Sequence, residues 1–96
     1  MKITVKPFLT LRPAMKNLTR IEREVDNMTL RDLLDRLCEE FGDELKNHMF
    51  DPKTQGISDM LKVLVNGHHY TTLPNKLDTI LRDNDEVALF PPVAGG

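Results

Sequence analysis

The sequence predicts an α+β fold, a mixed sheet with one main helix packed across one of its faces. Three observations carry this. Leu30, Leu33, Leu34, Leu37, Cys38 and Phe41 recur at the spacing of a single helical stripe. Segments of strand character stand on both sides of that stripe, so two strands, a helix and further strands follow one another. The chain has 96 residues, 40% hydrophobic and 29% charged, the size and balance of one globular domain. A domain of this size buries upwards of roughly 60% of the surface its unfolded chain exposes, enough for a modest core. With no Trp and a single Tyr, that core must be mostly aliphatic.

Ile3, Val5 and Pro7 alternate with Lys2, Thr4 and Lys6, which predicts a half-buried strand running up to Phe8. Polar residues around Asn17 predict a short turn, and residues 18–25 a second strand with Ile21 and Val25 facing inward. Arg23 falls on the same inward face and breaks the alternation. Strand, short turn and strand make an antiparallel hairpin. Thr29 predicts a helix N-cap, and Asp32 three residues later resembles a capping box. Gly42 stands where a helix end wants left-handed geometry. Cys38 lies on the buried stripe, where a thiol in apolar surroundings is inert filler.

Residues 43–60 are the least legible. Leu45 and Met49, four apart, fit a short second helix, and Asp51-Pro52 and Gln55-Gly56 mark turns. Residues 61–65 read as a strand buried on both faces. Asn66-Gly67 is the strongest short hairpin signal in the chain and predicts a return through a strand over 68–72. Residues 77–81 read as an irregular or single-turn segment. Asp83-Asn84 then turns the chain into a last strand, 86–90; Asn tolerates the left-handed angles such a turn needs.

The formal charge is −2, and Lys and Arg are scattered rather than clustered. That speaks against nucleic acid as the main partner. Asp83, Asp85 and Glu86 form a small acidic cluster expected to sit close to the tail. It reads as a solvated turn; if it recognised a partner, that partner would be basic. The single Cys38 excludes an internal disulfide and fits a reducing compartment. No apolar run approaches the ~20 residues of a membrane span, and the start Met1-Lys2-Ile3-Thr4-Val5 lacks signal-peptide architecture. A cytoplasmic protein with no membrane partner is expected.

Catalytic signatures are missing as well. There is no Gly-rich phosphate loop with Lys, no G-x-G-x-x-G, no H-E-x-x-H and no C-x-x-C. His68 and His69 are adjacent on a predicted strand and point to opposite faces, so they do not jointly grip a metal. No metal site and no bound cofactor are expected, and a carrier or binding module fits better than an autonomous enzyme.

The positive signal lies at the end, in Phe90-Pro91-Pro92-Val93-Ala94-Gly95-Gly96. Pro91 lacks the N–H a sheet ladder needs and ends the last strand. Pro91-Pro92 favours an extended path of ~3.1 Å per residue, so a tail over 91–96 reaches roughly 19 Å beyond a domain over 1–90. After Val93 the side chains shrink to a methyl and then to nothing. Two glycines with few side chains to bury predict a mobile end from Val93 onward. A slim end of this kind suits delivery of the Gly96 carboxylate into a narrow active site, where it would attack the α-phosphate of ATP and become an acyl-adenylate. A frayed terminus is the bland alternative.

Residues 85–96, Asp-Glu-Val-Ala-Leu-Phe-Pro-Pro-Val-Ala-Gly-Gly, resemble the end of the small subunit of molybdopterin synthase, the MoaD family. This is the molybdenum-cofactor branch of the ubiquitin-like sulfur carriers; the thiamine branch, ThiS, shares the Gly-Gly end but usually lacks Phe-Pro-Pro. The similarity continues in Val63-Leu64-Val65-Asn66-Gly67, in residues 77–81 and in residues 3–12.

The resemblance implies a ubiquitin-like β-grasp roll with the first and last strands as parallel central neighbours. It implies that an E1-like adenylating enzyme uses ATP and Mg²⁺ to activate Gly96. A persulfide sulfur donor would convert the adenylate to a thiocarboxylate. The tail, Pro91, Pro92, Val93, Ala94 and Gly95, would enter the larger molybdopterin synthase subunit, where sulfur attacks a pterin precursor and two transfers build a dithiolene. Phe8 and Phe90 match aromatic residues of the family's docking surface, although core placement fits them equally. A further docking position, usually apolar in the family, aligns near His69. The rival readings are a ubiquitin-like modifier joined to lysines through Gly96, a carrier for a tungsten or thiazole pathway, and a β-grasp interaction domain whose Gly-Gly is incidental.

Overall fold

The computed structural model describes residues 1–51, 53–54, 56–58 and 61–91. Alternation at the start of the chain makes β1 (Lys2–Pro7), with Ile3 and Val5 fully buried. β1 pairs antiparallel with β2 (Ile21–Glu24), as a hairpin should, but the connection is not a short turn. It holds a four-residue helix, α1 (Leu11–Ala14), whose Leu11 and Ala14, with the following Met15, are buried in the core. One turn is too short to show helical periodicity, and Pro13 reads as a breaker in sequence. Within a first turn, however, its missing N–H is no loss.

The second strand starts at Ile21 rather than at Leu18, which is exposed. Ile21 and Val25 face inward as expected. Arg23 sits on that face because its Nε and Nη2 donate to the two carboxylate oxygens of Glu40, at 3.0 and 2.8 Å. The broken alternation thus marks a strand-to-helix ion pair. It is partly exposed, so it adds under about 1 kcal/mol.

Glu40 belongs to α2 (Leu30–Phe41). Its capping box is complete: Thr29 Oγ1 accepts from the Asp32 N–H at 3.2 Å, and Asp32 Oδ2 accepts from the Thr29 N–H at 3.2 Å. Leu30, Leu33, Leu34, Leu37 and Cys38 are buried. Gly42 ends the helix at φ 94° and ψ −168°, a region open almost only to glycine and distinct from the expected left-handed helical well. That geometry lets the chain break α2 and pass directly into α3 (Asp43–Met49), which buries Leu45 and Met49.

β3 (Lys62–Val65) buries Val63 and Val65 but exposes Lys62 and half-exposes Leu64. It is therefore covered on one face, not on both as its composition suggested. Asn66 and Gly67 take φ values of 52° and 86° and make the predicted tight turn. The return strand is only β4 (His68–His69). Residues 70–72 leave the ladder as a 3₁₀ turn, because His69 Nδ1 accepts from the Thr71 N–H at 3.2 Å and Thr72 Oγ1 donates to the His69 carbonyl at 2.7 Å. A second 3₁₀ turn, Lys76–Asp78, falls at the start of the segment read as irregular.

β5 (Glu86–Phe90) is the last strand, entered through Asn84 at φ 69°. The sheet order is β2-β1-β5-β3-β4. β5 pairs parallel with β1 and antiparallel with β3, so the strand that runs into the tail is hydrogen-bonded on both sides. Residues of α2, α3 and one face of the sheet share a single core cluster. Among the described residues, no helix that joins this core lies over the other face of the sheet.

Gly42 offers a direct test of this architecture. A Cβ there meets nothing within 4 Å, so Gly42→Ala changes only backbone strain. The variant should lose roughly 1–3 kcal/mol in chemical denaturation while keeping its sheet. A loss within experimental error would show that the α2–α3 junction does not need this conformation.

Candidate functional site

The parallel register sets Lys6 beside Ala88 and Pro7 beside Leu89. One step further it sets Phe8 beside Phe90. Neighbouring strands lie ~4.8 Å apart, so two rings in register on one face are already near stacking distance. They stack with centroids 4.3 Å apart and planes 6° from parallel. The Phe8 N–H donates to the Leu89 carbonyl at 3.0 Å, carrying the ladder one residue beyond β1. Both rings are half-buried, and neither belongs to the core cluster or packs against it. The structure therefore places them on the open face rather than in the core.

Ladder register extends this face across the sheet. Lys6, Ala88, Leu64 and His69 form one row through β1, β5, β3 and β4. Leu64 and Ala88 are half-buried, and His69 lies against the Tyr70 ring at 5.1 Å between centroids. Lys62 stands opposite Phe90 and is exposed. From the α1 connection, the Arg12 guanidinium lies 5.6 Å from the Phe8 ring centroid, and its Nε donates to the Pro7 carbonyl at 3.2 Å. Pro91 follows Phe90 and is buried at the root of the tail. Pro92, Val93, Ala94, Gly95 and Gly96, and with them the expected mobile end, lie outside the described residues.

Arg12, Lys62, Leu64 and Ala88 were not singled out in the sequence. The two cations carry no motif; only the ladder register and the α1 turn bring them to the Phe8–Phe90 stack. The acidic cluster moves the other way. Asp83 and Asp85 lie at the entry of β5, about five strand residues, or ~17 Å, from the tail root. They are engaged internally: Asp83 Oδ1 accepts from the Lys2 N–H at 2.7 Å. Asp85 accepts from the Arg82 N–H and from Asn66 Nδ2, both at 2.8 Å. Asn66 Oδ1 accepts in turn from the Glu86 N–H at 2.9 Å. The cluster is a clasp between two turns, at the end of β5 away from the tail root.

Among the described residues, no group of His, Cys, Asp and Glu side chains could hold a metal ion. A groove of about 810 Å³ runs past α2 and α3, lined in part by Arg31, Asp35, Cys38 and Phe50. Arg31 is paired with Asp35 at 3.2 Å and lies 4.8 Å from the Phe50 ring centroid, so its charge is already engaged. Burial, seconded by the Asp35 carboxylate, pushes the Cys38 thiol up to about 11. No helix among the described residues is long and apolar enough to cross a membrane.

The sequence model of the ThiS family matches residues 8–96. The chain belongs to the ThiS family. Solved structures place this ThiS-family chain in the ubiquitin-like β-grasp fold. It is similar to SAMP1 from Haloferax volcanii, with a TM-score of 0.81 and 29% identity over 100% of both chains. It is also similar to small archaeal modifier protein 1 from Methanosarcina acetivorans, with a TM-score of 0.82 and 27% identity over 99% of this chain and 96% of that one. A third is a Pyrococcus furiosus protein described as molybdopterin converting factor, subunit 1. It has a TM-score of 0.72 and 25% identity over 97% of this chain and 99% of that one. Comparison with curated protein sequences gave no match.

Two outcomes follow from this geometry. Phe8→Ala removes one ring of a half-buried stack and should cost roughly 1–2 kcal/mol in urea unfolding. A loss above about 3 kcal/mol would place Phe8 in the core after all. At neutral pH, Cys38 should react with iodoacetamide about a hundredfold more slowly than a thiol at the ordinary 9.0, because its value near 11 leaves that much less thiolate. The same shift makes its contribution to stability whole below pH 9 and lost as pH rises from 9 to 11, since the unfolded thiol ionises first. Alkylation at the rate of a free thiol would contradict the placement.

Proposed function

We propose that this protein is a sulfur carrier whose working group is the carboxylate of Gly96. The observation that supports the reading most is the position of β5. The strand leading into Pro-Pro-Val-Ala-Gly-Gly is the middle strand of the sheet, held by β1 on one side and β3 on the other. A tail leaving from there starts at a fixed point, and its insertion costs only the ordering of the tail itself.

In this reading an E1-like adenylating enzyme binds the carrier with ATP and Mg²⁺. A carboxylate oxygen of Gly96 attacks the α-phosphorus, and pyrophosphate leaves. The terminal sulfur of a donor persulfide then attacks the acyl carbon, AMP leaves, and a second thiol reduces the resulting acyl disulfide to free the thiocarboxylate. The adenylate supplies the activation that a resting carboxylate lacks. The protein carries no resident cofactor and no catalysis of its own; ATP, Mg²⁺ and the acid–base groups belong to its partners. Phe8, Phe90 and the row beside them form the docking surface, and 91–96 enter the partner's channel. Phe90-Pro91-Pro92 and the likeness to the P. furiosus molybdopterin converting factor subunit favour the large subunit of molybdopterin synthase as acceptor and the cytoplasm as the site of work. A second reading, a modifier joined to lysines through Gly96, has the likeness to the small archaeal modifier proteins in its favour and uses the same activation.

Removal of Gly96 separates the tail from the fold. The variant should unfold within about 0.5 kcal/mol of the unaltered protein. Its ATP–pyrophosphate exchange with the adenylating enzyme should be abolished, because the carboxylate withdraws by ~3 Å along an extended path. Reacting atoms must be held at ~3–3.5 Å, so the site cannot absorb that retreat. Exchange and sulfur transfer at the normal rate would end the carrier reading.

A further inference from the structure

Several cations of this chain are held in local ion pairs. Lys6 Nζ lies 3.1 Å from Glu86, Arg20 3.1 Å from Glu22, and Arg23 2.8 Å from Glu40. Two further cations flank the Phe8–Phe90 stack. Arg12 is pinned beside Phe8 by its Nε bond to the Pro7 carbonyl, and Lys62 stands across the ladder from Phe90. Among the described residues neither meets a carboxylate within ion-pair distance. The nearest acid cluster in sequence is tied up at the far end of β5. A chain with a formal charge of −2 thus carries two cations, without an ion pair among the described residues, at the edge of the open face of its sheet and beside the root of its tail.

We propose that the partner protein which receives this face bears carboxylates that meet Arg12 and Lys62 on either side of an apolar contact with Phe8, Phe90 and Leu64. The inference rests on the carrier reading and adds the sign of the partner's surface. Arg12 suits a bidentate carboxylate because its guanidinium is already held, so little freedom is lost on pairing. Lys62 is exposed on a flexible stem and acts at the rim, where charge sets encounter rate and orientation more than packing. The overall negative charge of the carrier would repel an acidic partner in most orientations. The Arg12–Lys62 pair attracts it in the one that points the tail root at the partner.

The test uses the full-length chain and the E1-like adenylating enzyme of the same organism, titrated with ATP and Mg²⁺ at low and at high salt. Arg12→Glu and Lys62→Glu should each weaken binding about tenfold at low salt, and the double variant further. Lys62→Arg should bind normally, and Lys46→Glu on α3, far from the face, should stay within about twofold. Raising the salt should weaken the unaltered protein and narrow its lead over the two reversals. Thermal unfolding of each variant checks that the fold is kept. If both reversals bind like Lys46→Glu while Phe8→Ala binds poorly, the face is right and its partner is not acidic. If Phe8→Ala also binds like the unaltered protein, the docking face itself is misassigned.

Discussion

The parallel pairing of β1 with β5 is the constraint on which the rest depends. It is the only parallel ladder in the described sheet, and it joins the two ends of the chain. Its register puts Val5 beside Val87 on the covered face and Phe8 in stacking contact with Phe90 on the open one. A slip of one residue would exchange the two faces of β5, turning Val87 and Leu89 to solvent and the ring into the core. Core packing on one side therefore fixes where the tail root and its aromatic flank stand on the other.

That coupling explains how a small domain combines a buried core on one face of its sheet with an open apolar patch on the other. Burial of Leu30, Leu33, Leu34 and Leu37 against Ile3, Val5, Val63, Val87 and Leu89 occupies one face of the sheet. The other face is left to half-buried Phe8, Leu64, Ala88 and Phe90, which the fold does not need as core. Turns at the far end hold β5 in place through the Asn66, Asp85 and Glu86 hydrogen bonds. Polar residues tether one end of the strand while the apolar stack braces the other, where the tail departs.

Much of this was legible from local chemistry. The α2 stripe, the Thr29 capping box, Asn66-Gly67, Asn84 and the stop at Pro91 each follow from properties of one or a few neighbouring residues. What escaped depended on distant partners. Arg23 looked like an error of alternation because Glu40 lies on another element. α1 is one turn long and contains Pro13, so it has no period to detect. Residues 61–65 looked buried on both faces because composition does not reveal that Lys62 and Leu64 lie on the open side of the sheet. The open face could be guessed from Phe8 and Phe90 by resemblance, but not the cations beside it, since Arg12 reaches Phe8 through the α1 turn and Lys62 reaches Phe90 through register. The acidic cluster was misplaced for the same reason: proximity in sequence to the tail is separation along a strand.

The central claim is that sulfur is carried on Gly96. Intact mass of the protein isolated from its native cells, followed by fragmentation, tests it most directly. The account predicts a population in which one oxygen is replaced by sulfur, with the change confined to Gly96. Gly96 found only in isopeptide linkage to lysines, with no thiocarboxylate when the purified protein is incubated with the adenylating enzyme, ATP and a persulfide donor, would contradict it.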